Sequence, residues 1–301
     1  MIKKIVYGLL KKMKFLPAEF YMKIYYEYYL GKKLDLANPK DFNQKIQWLK
    51  VFYRVPILHQ LVDKYSVRQY VKEKVGEKYL NELIAVYNYP KEINYQELPN
   101  RFVLKATHGY HFNILVKNKS ELNKTKARLK MEKWLRKNQY TRGGLEWAYK
   151  DIKPKFIVEK YLVQVGKEDI NDYKFFCFNG EPKLLHVDID RGTKHLRAYY
   201  DMDWKKLPIR HDIIGFIEGE TEKPENFEEM KEVATKLAGT FPFVRVDLYN
   251  LDGRIIFGEM TFYPADGRLE FLPEKYNKII GDYLVLPKIP EGQKYITNLA
   301  L

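Results

Sequence analysis

The sequence predicts an α+β fold, with a mainly helical first third leading into a β-rich remainder. Two observations point there. Apolar residues recur every three or four positions in the early segments, and from Tyr87 onward the pattern shortens to brief β-rich runs separated by helical stretches. Composition agrees with a folded chain. At 301 residues and 46% hydrophobic, with 25 Tyr and 17 Phe, it is long and apolar enough to bury a large core, and no repeat or low-complexity tract interrupts it. No apolar run reaches the roughly 18 to 20 residues that cross a bilayer. The one cysteine, Cys177, excludes an intramolecular disulfide. It falls in an alternating strand pattern and reads as a packed thiol in a reducing cytoplasm.

Residues 2–30 carry six lysines and two glutamates among Ile2, Ile5, Val6, Leu9, Leu10, Met13, Phe15 and Leu16. They read as a basic amphipathic helix interrupted near Pro17. Such a helix lies on an anionic membrane surface or packs on its own domain. It is not expected to be a secretory signal, since Lys11, Lys12 and Lys14 follow the short apolar stretch and no small-residue cleavage site appears. Asn38-Pro39-Lys40-Asp41 caps a helix running through Trp48 and Val51, and Asp63-Lys64-Tyr65-Ser66 opens another that stops at Gly76. Strands are expected at 101–106, 113–117, 156–159, 173–178 and 182–188, with helices at 121–137 and 226–238.

The last hairpin, residues 243–261, places ionisable groups on an otherwise apolar ribbon. A three-residue loop ending at Gly253 sets Asn250 opposite Arg254, Arg245 opposite Glu259 and Asp247 opposite Phe257. Arg245, Asp247, Glu259 and Thr261 then share one face, and Val244, Val246, Leu248, Ile256 and Met260 the other. Asp247 and Glu259 become diagonal neighbours, roughly 7–8 Å apart at the backbone, able to lean onto a hard cation between them. The alternative is that Arg245 neutralises both acids on a solvated sheet face.

Three further segments carry chemistry. Lys105 ends a strand and is followed by the turn Thr107-His108-Gly109-Tyr110-His111, a combination suited to phosphate through backbone N–H groups and a point charge. His108 and His111 are not expected to bind zinc, because no cysteine or further histidine stands at ligand spacing. Ile157-Val-Glu159-Lys160-Tyr161-Leu162 is an apolar strand passing into a charged and aromatic stretch, able to meet an adenine edge with its backbone or to connect domains. Asp172-Tyr-Lys174-Phe-Phe176 runs into the two-residue turn Asn179-Gly180 and again sets an acid and a cation on one face.

In this order the segments resemble the ATP-grasp superfamily, and more closely its TupA-like branch, associated with bacterial surface polysaccharide and teichuronopeptide synthesis. The residues carrying the resemblance are Phe102-Val-Leu-Lys105 with His108-Gly109, Glu146-Trp147 with Tyr149, Ile157 through Leu162, Asp172 through Gly180, and Arg245-Val-Asp247 through Gly258-Glu259-Met-Thr-Phe262. It spans about residues 38 to 286. The resemblance implies two α/β subdomains clasping ATP, a smaller lobe at 86–160 and a larger at 161–290, preceded by a helical region at 1–85 and followed by a tail at 291–301.

It further implies that Lys105, with His108 and Gly109, binds phosphate, and that Glu159, Lys160, Tyr161 and Leu162 form the adenine hinge. Asp172 or Asp169 would hold the ribose, and Asp247, Glu259 and Thr261 would ligate Mg²⁺. Lys105, Lys174 and Arg245 would stabilise the transferred phosphoryl charge. Lys174 stands where related enzymes often carry arginine, and lysine makes no bidentate phosphate contact. Thr261 stands where many relatives place asparagine. The implied reaction is ATP-dependent carboxylate–amine ligation through an acyl-phosphate, on an acidic sugar or amino acid of a cell-surface or capsular polysaccharide. A cytoplasmic enzyme, with residues 1–30 as a peripheral contact on the inner face of the membrane, would suit it.

A net charge of +14 agrees with an anionic partner. Nucleic acid is disfavoured, because the basic residues are dispersed and no zinc-finger, RNP or helix-turn-helix signature appears. The rival enzyme class is a metal-dependent glycosyltransferase, resting on Asp188-Ile-Asp190 and Asp201-Met-Asp203. A basic membrane-surface or polymer-binding protein without catalysis is the non-enzymatic alternative.

Overall fold

The computed structural model describes residues 2–164, 170–190, 192, 194–211 and 213–299. Helix α1 (Ile2–Leu10) and helix α2 (Ala18–Leu30) are separated at Pro17, which fixes its own backbone at the entry of α2. Helix α3 (Phe42–Phe52) starts where expected, with the Asp41 carboxylate accepting the Gln44 N–H at 2.8 Å. The single helix expected after Asp63 is preceded by another: α4 (Ile57–Val62) and α5 (Val67–Lys74) flank Asp63, whose Oδ1 accepts the N–H groups of Tyr65 and Ser66.

Two sheets follow, antiparallel apart from one short parallel pairing in the larger. The smaller has the order β1-β4-β2-β3, built from β1 (Leu83–Tyr87), β2 (Phe102–Ala106), β3 (Asn113–Val116) and β4 (Phe156–Lys160). Its first strand, Leu83–Tyr87, runs across the 85/86 division expected from the sequence. Helix α6 (Lys124–Leu135) covers it and buries Ala127, Met131 and Trp134 against Phe102, Leu104, Phe112, Phe156 and Val158. The short helix α7 (Gln139–Arg142) follows.

The larger sheet is built from β5 (Asp172–Phe178), β6 (Glu181–Ile189), β7 (Leu196–Asp201), β8 (Lys206–Leu207), β9 (Gly215–Phe216), β10 (Phe243–Leu251) and β11 (Arg254–Thr261). The order is β11-β10-β5-β6-β7-β8, with β9 beside β7. Helix α8 (Phe227–Ala238) packs one face through Phe227, Met230, Val233, Ala234 and Leu237. Cys177 is fully buried there, its thiol pushed up by burial, as a packed side chain requires. On the opposite face, Phe42 of α3 meets the rings of Phe176, Phe178, Phe243 and Phe271 at 5.1–6.2 Å. Helix α9 (Lys275–Tyr283) closes beside α3.

The helical region and the large lobe therefore share one core, and the small lobe has its own. Among the described residues no helix is long and apolar enough to cross a membrane. Lys11 lies over the Tyr28 ring at 3.8 Å and Tyr21 donates to the Lys11 carbonyl, so α1 rests on α2. Leu9, Phe15 and Phe20 still face solvent, Phe15 at 80% exposure.

Candidate active site

The β10–β11 hairpin closes through Asp252-Gly253, both left-handed at φ 51° and 89°, with Leu251 opposite Arg254. This is a two-residue turn, not the expected three-residue loop, and it shifts the register by one. A bulge at Gly258 shifts it by one more, so that Asp247 faces Glu259 and Arg245 faces Thr261 directly. Two single-residue shifts restore the side-chain face, and Arg245, Asp247, Glu259 and Thr261 do share it. The acids are directly opposite rather than diagonal, and Ile256 moves to the position across from Tyr249, away from the face expected for it.

Strand pairing extends this face across the sheet. Glu259, Asp247, Lys174 and His186 form one row through successive strands, and Tyr249, Asp172, Asp188 and Arg197 form the next. Lys174 Nζ lies 2.5 Å from both Asp172 Oδ2 and Asp247 Oδ2. Arg245 donates Nε to Asp247 Oδ1 and Nη2 to Asp247 Oδ2, each at 2.7 Å. Arg197 forks onto Asp188 at 2.6 and 3.0 Å. Burial alone would raise the Asp188 carboxyl, but hydrogen bonds from His195 and Arg197 and the charge of Arg197 hold it well below its ordinary value. His186, buried and beside Arg197, is held well below its ordinary value and stays neutral.

These residues floor a cleft of about 740 Å³ between the two sheets. From the small lobe Lys105, Tyr110 and His111 line it, and Arg245, Asp247, Glu259, Thr261, Lys174 and Asp172 line it from the large lobe. Lys105 thus points into the crevice that Asp247 and Glu259 form. A smaller recess adjoins it, lined by Lys64, Arg68, Lys105, Glu159, Leu162, Tyr249 and Phe257.

Not every expected residue reaches this space. His108 turns into the small-lobe core, with Nε2 3.0 Å from the Trp134 carbonyl and its ring on Phe112, so it is a packed histidine. Gly109 offers its carbonyl to Lys64 Nζ at 2.5 Å, a contact that accepts rather than donates toward a phosphate. Of the expected hinge, Glu159 and Leu162 line the recess. Lys160 is exposed and paired with Glu82, and Tyr161 lies against Arg101. The Glu159 carboxylate clamps Lys105 at 2.6 Å and Arg68 at 3.2 Å. Asp172 is a charge partner of Lys174 at the cleft floor, and Asp169 lies outside the described residues.

The glycosyltransferase pattern does not form a site. Asp188 is locked by Arg197, and Asp201 Oδ1 holds the turn by accepting the N–H groups of Asp203 and Lys205. Among the described residues no group of three His, Cys, Asp or Glu side chains converges on a metal position.

Oxygen donors for Mg²⁺ are nonetheless together. Arg245 Nη2 lies 2.7 Å from Asp247 Oδ2, 3.1 Å from Thr261 Oγ1 and 3.5 Å from Glu259 Oε1, so all three side chains already converge on one positive group. Two carboxylates and a hydroxyl fit a hard cation that takes its remaining ligands from phosphate and water. Arg245 holds that position here.

Lys64, Glu146, Arg197, Asp266 and Arg268, to which sequence reasoning gave no chemical role, also line the cleft, as does Asp188, read there only as part of a glycosyltransferase motif. Burial lowers the Lys64 ammonium, with Lys105 adding to the effect and Glu259 opposing it. The signal for Asp188 and Arg197 was present, since His186/Asp188 and Arg197/Tyr199 continue the period-two pattern of the neighbouring hairpin.

Two largely antiparallel sheets facing across a cleft, a strand lysine on one and acids with an arginine on the other, define an ATP-grasp fold. The chain belongs to the TupA-like ATP-grasp family, whose sequence profile matches residues 44–285. No curated protein is a significant match. Similar solved structures include D-alanine–D-alanine ligase from Bacillus anthracis complexed with ATP, at 16% identity and a TM-score of 0.41, covering 74% of this chain and 62% of that one. The Helicobacter pylori D-alanine–D-alanine ligase aligns at 14% identity and 0.43, covering 84% and 69%. The ATP-grasp ligase PsnB complexed with minimal precursor, Mg and ADP aligns at 12% and 0.37, covering 73% and 57%.

Proposed function

We propose that the chain is an ATP-dependent carboxylate–amine ligase that works through an acyl-phosphate. The observation that carries this reading is Lys105 of the small lobe facing Arg245, Asp247 and Glu259 of the large lobe across one cleft. Lys105 is charge-balanced by Glu159 and reaches toward phosphate oxygens as a point charge. Arg245 and Lys174 neutralise charge that develops as the γ-phosphoryl passes to a substrate carboxylate. Mg²⁺, held by Asp247, Glu259 and Thr261, would supply charge compensation at the phosphates. An amine then displaces phosphate. Cys177, the sole cysteine, is buried away from the cleft, in keeping with a reaction that needs no thiol nucleophile.

The acid substrate is an acidic sugar or amino acid, and the setting is cytoplasmic assembly of a bacterial surface or capsular polysaccharide. The basic net charge suits such a polymer. Peripheral contact with anionic lipid is a second reading. It is supported by Leu9, Phe15 and Phe20 lying exposed in a segment that also carries Lys12, Lys14 and Lys23. Pull-down on anionic liposomes is expected to weaken on removal of residues 1–16, and unchanged binding rejects that contact.

ATP with Mg²⁺ is expected to raise the thermal midpoint of the purified protein, equivalent to about 2.7 kcal/mol at a hundredfold excess over Kd. Lys105→Ala and Glu259→Ala are expected to abolish the Mg²⁺-dependent part. Equal stabilisation of both variants and the native chain by ATP overturns the site assignment.

A further inference from the structure

We infer that the part of the cleft lined by Glu146, Tyr263 and Asp266 receives a primary amine, with Glu146 as the base that takes its proton. This rests on the ligase reading above and names the group that the second half of that reaction consumes.

Glu146 lines the cleft yet is only 2% exposed. Its carboxylate accepts Gln139 Nε2 at 3.1 Å, and among the described residues no cation lies within ion-pair distance of it. Its neighbour Asp266 is differently placed. Lys50 approaches Asp266 Oδ1 at 2.5 Å, the Tyr25 hydroxyl and the Gly144 N–H donate to Oδ2, and Arg268 lies 3.5 Å away. Asp266 therefore has its counter-charge and Glu146 does not. The Tyr263 hydroxyl is buried and lines the same cleft.

The chain is held around this pocket at a cost. A Cβ on Gly143 would lie 2.2 Å from Glu146 Oε2, so only glycine lets the loop close on the carboxylate. Leu145, Ala265 and Asp266 all sit at positive φ, 59°, 47° and 60°, a conformation that L side chains adopt only under strain. Strain of this kind concentrates at ligand clamps and active sites.

Burial, followed by the charge of Asp266, pushes the Glu146 carboxyl up to about 8, against opposing effects of Lys50, Gln139 and Arg268. The remaining titratable groups facing the pocket, Tyr110, Tyr149 and Tyr263, are pushed up by burial and stay neutral. An amine is an ammonium at neutral pH and has no lone pair to offer. A carboxylate titrating near the working pH is matched to its deprotonation. Glu146 takes one ammonium proton, and the freed nitrogen pair bonds to the acyl carbon. The C–O bond to phosphate breaks with its electrons, and the second N–H proton leaves with hydrogen phosphate. An amide and protonated Glu146 remain, and Glu146 returns its proton to solvent.

The test uses the full chain carrying ¹³C at the glutamate carboxyls, with the Glu146 resonance assigned by its loss in Glu146→Asp. Methylammonium chloride is the probe and tetramethylammonium, which has no N–H, the control. Saturating methylammonium is expected to lower the Glu146 titration midpoint by about one unit or more, a tenfold effect, while tetramethylammonium leaves it in place. An identical midpoint in both salts overturns the inference. Thermal stabilisation by ATP and Mg²⁺ is measured on the same samples. Stabilisation without a methylammonium shift removes the amine site alone, and a shift without stabilisation removes the ligase reading and leaves the amine site standing.

Discussion

Glu146 makes folding depend on pH in a direction opposite to that of a salt-bridged acid. Its carboxyl is raised from 4.5 to about 8, so between those values the folded chain binds a proton that the unfolded chain has lost. Its contribution to stability is present below about pH 4.5, is lost as pH rises, and levels off above about 8. The slope is at most about 1.4 kcal/mol per pH unit. Urea midpoints from pH 5 to 8 are expected to fall less steeply in Glu146→Gln than in the native chain, and parallel curves reject the assignment. Lys174 offers a second measurement. Removing it leaves Asp172 and Asp247, each 1% exposed, short of a cation 2.5 Å away, and Lys174→Ala is expected to cost about 3–5 kcal/mol in urea unfolding. At this scale the sequence was partly legible. Lys105, Lys174, Arg245, Asp247 and Glu259 stood out because a charge at an inward strand position violates the apolar alternation. Lys64 and Arg68 sit beside or on short helices, where a cation looks like any solvated residue, and they line the recess beside the cleft, where Asp63 turns the chain between α4 and α5. His108 misled because a turn histidine beside glycine has the same pattern whether it faces phosphate or the Trp134 carbonyl.

The β10–β11 hairpin shows why element boundaries were easier to read than register. Alternation alone located both strands and their polar face. The turn type and the bulge were invisible to it, and because each shifts the pairing by one residue, the face survived while the partners changed. The two glycines in this hairpin separate shape from function. Gly253 sits at φ 89° in open space, where an added Cβ would have nothing within 4 Å, so Gly253→Ala meets only backbone strain. It is expected to cost about 1–2 kcal/mol of stability and to leave nucleotide stabilisation intact. At Gly258 a Cβ would lie 3.0 Å from the Asp247 carbonyl and 3.3 Å from the Tyr249 ring. Gly258→Ala is therefore expected to disturb the Asp247–Glu259 pairing and to lose most of the Mg²⁺-dependent stabilisation by ATP. The reverse ranking in a thermal-shift comparison would show that the bulge does not set the acid pair. The same logic explains what was missed elsewhere. Strands β8 and β9 have two residues each, too short for any period to register, and β1 lies in the passage between helical and β patterning.

For the whole molecule, the helical region and the two lobes that the sequence suggested are gathered into two cores, the helical region sharing that of the large lobe. Phe42, in the helical region, is fully buried against Phe176, Phe178, Phe243 and Phe271, so the first third of the chain forms part of the wall of the large lobe. Composition cannot reveal this, because a helix that packs on its own neighbours and one that packs on a distant sheet carry the same apolar stripe. The small lobe's core shares none of its buried residues with the other. Phe42→Ala removes a ring from four aromatic contacts and is expected to destabilise the large core by about 3–5 kcal/mol. Amide exchange reads where that loss falls. Protection in β5 and β10 should drop while β2 and β4 keep theirs, since local opening follows the core to which a strand belongs. Saturating ATP with Mg²⁺, bridging Lys105 on one lobe and the Arg245 face on the other, should then raise protection in both sheets together. A uniform drop in the variant before nucleotide is added would mean that the two sheets already unfold as one unit and that the cleft is not a boundary between them.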